Sequence, residues 1–122
     1  AELAKGLAAD LLIVHVSEGR LSADWEEFPR AEKATLGEIV DEAAAEILEA
    51  ARRRADQAGA PRIRVHAAEG DAATLILEAA RKEGADAIVV GKRGRGRLAG
   101  LLIGSVSQKL VSIAPAMIVV VP

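Results

Sequence analysis

Between Ile88 and Ser107 the chain reads I-V-V-G-K-R-G-R-G-R-L-A-G-L-L-I-G-S-V-S. Gly91 closes an apolar run, Gly94 follows after Lys92 and Arg93, and Gly104-Ser105 comes after nine intervening residues. Glycines let a backbone approach a ligand closely and adopt positive φ. A helix start offers free N–H groups and the positive end of a dipole, which suits phosphate. Ser105 and Ser107 add hydroxyl donors, and Lys92, Arg93, Arg95 and Arg97 add cations that attract and pair with polyphosphate. The chemistry these residues favour is nucleotide-phosphate binding on a loop that leaves a parallel strand.

The stretch is neither of the two commonest phosphate loops. A Walker A sequence requires G-x-x-x-x-G-K-[ST], and the chain has no Gly-Lys-Ser or Gly-Lys-Thr. The dinucleotide fingerprint requires G-x-G-x-x-G, whereas Gly94 and Gly96 are followed by Gly100, one position too far. The four cations also read as a solvated basic loop. A nucleic-acid role for K-R-G-R-G-R is disfavoured because no aromatic residues are interleaved for base stacking.

Other chemistry has thinner support. His15 and His66 lie in strand-like runs with no His, Cys or carboxylate at ligand spacing, so they read as core or edge histidines, not a zinc site. Asp71 follows Gly70 at a helix start and reads as a cap. Glu69 reads as a loop residue. No nucleophile elbow and no paired carboxylates stand out, and no dedicated Mg²⁺ ligand is visible, although Mg²⁺ accompanies many bound triphosphates. Trp25 and Phe28 fit two roles, a cover over a nucleotide or packing on the long helix that follows.

The elements that must position the loop follow from periodicity. Residues 2–9 are helix formers, and Asp10 ends that stub. Leu11–Val16 is a short branched apolar run, expected as a buried strand. Ser17–Thr35 lacks periodicity and reads as a long loop or lid. Leu36–Gln57 is the clearest helix, with Leu36, Ile39, Val40, Ala43, Ile47, Leu48 and Ala51 on one face, and Gly59 and Pro61 end it. Ile63, Val65 and Ala67 alternate with Arg62, Arg64 and His66, as in a strand near a sheet edge with one wetter face. Gly70-Asp71 opens a helix with Leu75, Ile76, Ala79 and Ala80 on its apolar face, which Gly84 closes. Asp86–Val90 is a second buried strand. Val106, Leu110 and Ile113 line a last helix that stops at Ala114-Pro115, and Ala116–Val121 is the last strand. This alternation predicts one α/β domain over residues 1–122, with a parallel sheet and right-handed crossovers.

Composition sets the outer bounds. The chain has 122 residues, 51% hydrophobic, and its aromatics are limited to one Trp and one Phe, so aliphatic packing must carry the core. Many alanines point to close helix–sheet contacts. With 16 basic and 18 acidic residues the net charge is −2, unlike a chain built for nucleic acid. The absence of cysteine excludes disulfides and thiol chemistry and fits a cytoplasmic location. No apolar run approaches the roughly 18–20 residues of a membrane span, and no signal-peptide pattern opens the sequence.

The pattern G-x2-G-x9-G-[ST], at Gly91, Gly94, Gly104 and Ser105, resembles the ATP-binding branch of the universal stress protein family. The order of Leu11–Glu18, Val65–Ala80, Ala85–Gly94 and Gly104–Pro122 is similar to that family over nearly the whole chain. The resemblance implies a flavodoxin-like or Rossmann-like parallel sheet sandwiched by helices. It implies ATP, with or without Mg²⁺, at Val16, Gly91, Lys92, Arg93, Gly94, Gly104, Ser105, Val106 and Ser107. Val16 would pack on adenine, or else serve only as core. It also implies a homodimer with Met117–Val121 antiparallel to its mate. Family members begin with a strand ending in an Asp that contacts the adenosine part. That first central strand is absent here, so the expectation is that upstream residues, or less readily a partner chain, supply it. The implied function is a stress-response binding and signalling module with at most slow, incidental hydrolysis. Two alternatives remain: an ATP-using enzyme of the wider adenine-nucleotide-binding α/β group, and a dimerisation domain that binds nothing.

Overall fold

The computed structural model describes residues 1–17, 27–91, 109 and 117–121, the last five by their backbone. The element order is α1 (Glu2–Leu7), β1 (Asp10–Ser17), α2 (Arg30–Gln57), β2 (Arg62–Glu69), α3 (Ala72–Glu83), β3 (Ala87–Gly91) and β4 (Met117–Val121). The chain divides into two units, Ala1–Gly70 and Asp71–Pro122.

In the first unit β1 and β2 pair in parallel, in continuous register from Asp10↔Arg62 to Ser17↔Glu69. A parallel pair needs a crossover, and α2 supplies it, packing on both strands. The helix has 28 residues and β1 has 8. At about 1.5 Å per helical residue and about 3.3 Å per strand residue, α2 runs about 42 Å against about 26 Å of strand. Its buried positions are Gly37, Ala44, Leu48 and Ala55. Three of the four are small, which lets the helix axis lie close to the strands. Ala4, Ala55 and Ala60 form a buried cluster with Leu11, Ile13 and Ile63 packed against it. Where α2 stands over the strands, Leu48 supplies the large buried group, worth about 1.5–3 kcal/mol.

In the second unit β3 and β4 pair in parallel, from Ala87↔Met117 to Gly91↔Val121. Ala73 and Leu77 of α3 bury against Ile88, with Ile76, Ala80 and Val90 partly buried around them. Among the described residues each sheet has two strands, and β1 has only β2, and β3 only β4, as strand partner.

Several expectations need correction. The expected loop of residues 17–35 is too long, because α2 begins at Arg30. Pro29 precedes it with φ −58°, and its carbonyl accepts from the Lys33 amide at 3.0 Å. Ala31, Glu32, Lys33 and Ala34 favour helix by propensity, but these first turns show no apolar stripe. The buried face of α2 is also rotated from the expected one: Ile39 is 55% exposed and Ala43 is exposed, while Gly37 and Ala44 lie inside. Asp10 and Ser17 belong to β1, and α1 ends at Leu7 with Ala8 as its cap. Glu69 is the last residue of β2, not a loop residue. Neither apolar strand is fully buried. Leu11–Val16 is half-buried throughout, and in β3 Ile88 is buried while Val89 is 53% exposed, because adjacent strand residues face opposite sides.

All three described helices close in the same way. The Gly59, Gly84 and Ala8 amides donate to carbonyls three residues back, and Ala60, Ala85 and Ala9 to carbonyls five back. This double bond pattern requires a left-handed residue at the turn. Gly59 and Gly84 meet that need with φ 88° and 63°; Ala8 does so at φ 52° without glycine's freedom.

Candidate functional site

Of the sequence-predicted site residues, Val16 and Gly91 are described. Val16 is the penultimate residue of β1, half-buried and opposite Ala68. Gly91 is the last residue of β3, exposed and opposite Val121. Gly91 therefore stands at the carboxyl end of a parallel strand, the end where open α/β sheets bind ligands. Lys92, Arg93, Gly94, Gly104, Ser105, Val106 and Ser107 lie outside the described residues, as do Trp25, Arg95 and Arg97.

The start of α3 is built as the sequence predicts. Gly70 ends the β2 turn, and its amide donates to the Ser17 carbonyl at 2.9 Å. Asp71 then caps the helix: its Oδ2 accepts from the Thr74 amide at 3.0 Å and from the Thr74 hydroxyl at 2.6 Å. Lys109 Nζ donates to the same oxygen at 3.3 Å. The Thr74 hydroxyl, then the Thr74 amide and Lys109, favour the ionised carboxylate and hold it below the usual carboxylate range. Sequence reasoning found the cap but not Lys109, which is 38 residues away and carries no local signal.

Both histidines lie in strands, His15 in β1 and His66 in β2. The Ser17 hydroxyl lies 3.4 Å from His15 Nε2, two positions apart on β1. That exceeds the roughly 2.6–3.2 Å of a working nucleophile–base pair. His66 is exposed on β2. Among the described residues no three His, Asp or Glu side chains converge as a metal site. Phe28 shares an open cleft of about 370 Å³ with Ala31, Glu32, Thr35 and Leu36, all on the first turns of α2. Among the described residues no helix is long and apolar enough to cross a membrane.

The model of the universal stress protein family matches residues 1–122. Over 63 residues the chain is 44% identical to the "Universal stress protein in QAH/OAS sulfhydrylase 3'region" of Thermus aquaticus, covering 52% of this chain and 46% of that protein. Over 42 residues it is 52% identical to the "Stress response protein NhaX" of Bacillus subtilis, covering 34% of this chain and 25% of that one. The matched stretches thus span less than half the length of these curated relatives.

Solved structures share the fold. Universal stress protein UspA from Lactobacillus plantarum superposes with a TM-score of 0.80 at 23% identity, over 98% of this chain and 82% of that one. The hypothetical protein MJ0577 gives 0.77 at 23% identity, over 98% and 85%. A universal stress protein in complex with cAMP gives 0.69 at 25% identity, over 98% and 79%. These likenesses establish an α/β fold with parallel strands flanked by helices.

Proposed function

The chain belongs to the universal stress protein family, and from that premise we propose that it is an ATP-binding stress-response module. The observation that carries the reading is the place of Gly91. The first glycine of G-x2-G-x9-G-[ST] is the last residue of β3, at the carboxyl end of a parallel strand. A loop leaving that end and returning through a helix start at Gly104-Ser105 brings backbone N–H groups to phosphate. In this reading Gly91, Gly94 and Gly104 permit close approach. Ser105 and Ser107 donate hydroxyl hydrogen bonds, and Lys92 and Arg93 pair with the phosphates, with Mg²⁺ carried by the triphosphate. Further support comes from the structural relative that binds cAMP, itself an adenine nucleotide.

In this reading the module works by occupancy, with at most slow, incidental hydrolysis. It acts in the cytoplasm as a homodimer joined through Met117–Val121, an apolar strand that is hazardous when its edge is bare.

The test is ATP titration of the wild type and of Gly104→Val, followed calorimetrically. The added side chain would stand where phosphate must approach. The expected result is micromolar or tighter binding by the wild type, loss of at least about tenfold in the variant, and an unchanged circular dichroism spectrum. Wild-type affinity in a folded Gly104→Val protein would overturn the site.

A further inference from the structure

We propose that one side of α2 is a contact surface for a second copy of this chain, with two α2 helices pairing antiparallel about a twofold axis at Ala43. The inference stands on the first unit alone and does not depend on the nucleotide reading.

α2 carries more apolar surface than its strands cover. Gly37, Ala44, Leu48 and Ala55 lie inside. Beside that line runs a second one, Leu36, Val40, Ala43, Ile47, Ala50 and Arg54, at alternating spacings of four and three residues. This is the spacing of a helix seam that packs against another helix. Leu36, Val40, Ile47 and Ala50 are half-buried, whereas Ala43 and the adjoining Ile39 are exposed, Ile39 by 55%. The seam is thus shielded along one edge and wet along the other.

Charge names the occupant. Glu32 stands about one turn before Leu36, and Arg54 closes the seam at its other end; both are exposed. Each is eleven residues from Ala43, so an antiparallel pair centred there sets Glu32 of each copy opposite Arg54 of its mate. The same register sets Leu36 opposite Ala50 and Ile39 opposite Ile47. Ala43 meets itself, and its small side chain lets the helices approach closely. A twofold contact must be self-complementary, and a seam with opposite charges at equal distances from its centre meets that condition. Glu32 also lines the open cleft with Phe28 and Leu36, which offers apolar walls to the stem of the arriving Arg54. Antiparallel pairing sets the two helix dipoles against each other, which is favourable. The surface lies on a different element from Met117–Val121 and adds a second kind of contact between copies.

The experiment is thiol cross-linking in the full chain. The sequence has no cysteine, so a single introduced one reports the contact without background. Ala43→Cys treated with a short bifunctional maleimide should give a dimer-sized product on a denaturing gel, in a yield that rises with protein concentration. Ala45→Cys, exposed on the far side of α2, should give little. In the Ala43→Cys background, Glu32→Arg or Arg54→Glu should each cut the yield at least about threefold, because attraction becomes repulsion at both ends of the seam. The two reversals together should restore it, with the circular dichroism spectrum unchanged throughout. Absence of product at Ala43→Cys would overturn the inference, as would equal yield at Ala45→Cys. A yield indifferent to charge reversal, or a double reversal no better than the single ones, would overturn it as well.

Discussion

Arg62 faces Asp10 as the first registered pair of β1 and β2, and its guanidinium joins three elements at once. Nε donates to the Asp10 carboxylate, and Nη2 donates to the Ala8 carbonyl at 2.8 Å. Ala8 is the left-handed cap of α1. The amino ends of both strands and the end of the first helix therefore meet at one side chain.

Replacing Arg62 by Met should lower stability by about 1 kcal/mol. The pair is more than half exposed on both sides, which limits its value to about 0.2–1 kcal/mol. The bond to the Ala8 carbonyl adds a contribution of similar size. Urea denaturation of wild type and variant in low and high salt checks this. The loss should shrink in high salt but not vanish, since the carbonyl bond is less screened than the ion pair.

The shared helix-ending geometry gives two substitutions of opposite sign. Gly84→Ala should destabilise by about 1 kcal/mol. A Cβ there meets nothing within 4 Å, so the penalty comes from φ 63° alone. Ala8→Gly should stabilise by about 0.5–1 kcal/mol, because glycine relieves φ 52° at the same structural position. Thermal melts of the two variants should move in opposite directions.

The cap at Asp71 and the stops at Gly59 and Gly84 were readable because each depends on a local residue type. The strand positions were readable from short branched runs at β1, β3 and β4 and from alternation at β2. The start of α2 was not, because residues 30–35 are helical through propensity and the preceding Pro29, with no apolar stripe to mark them. The rotation of its buried face was hidden for a related reason. Small residues carry much of the buried face, with Gly37 and Ala44 inside while Ile39 is exposed. Of the candidate site, the strand end at Gly91 was legible. Lys109 on Asp71 was not, because a contact between distant residues leaves no mark in local pattern.

Asp71 should give the second unit an acid-sensitive element. Its carboxyl is held below the usual range by the Thr74 hydroxyl and amide and by Lys109. A depressed pKa adds stability in full above the unfolded-state value of about 3.9, and that stability is lost as pH falls through the folded value. The gap in melting temperature between wild type and Asp71→Asn should be constant above about pH 5 and narrow below about pH 4. A gap that widens on acidification would contradict the assignment.

The central claim is that the loop after Gly91 holds an adenine nucleotide, and nucleotide carry-over tests it most directly. The protein is purified gently and denatured, and the supernatant is run on an anion-exchange column beside ATP, ADP and AMP standards. The account predicts an adenine nucleotide in near-stoichiometric amount, and its loss from Gly104→Val purified in parallel. A wild-type protein that emerges empty, and that also fails to take up added ATP, would contradict it.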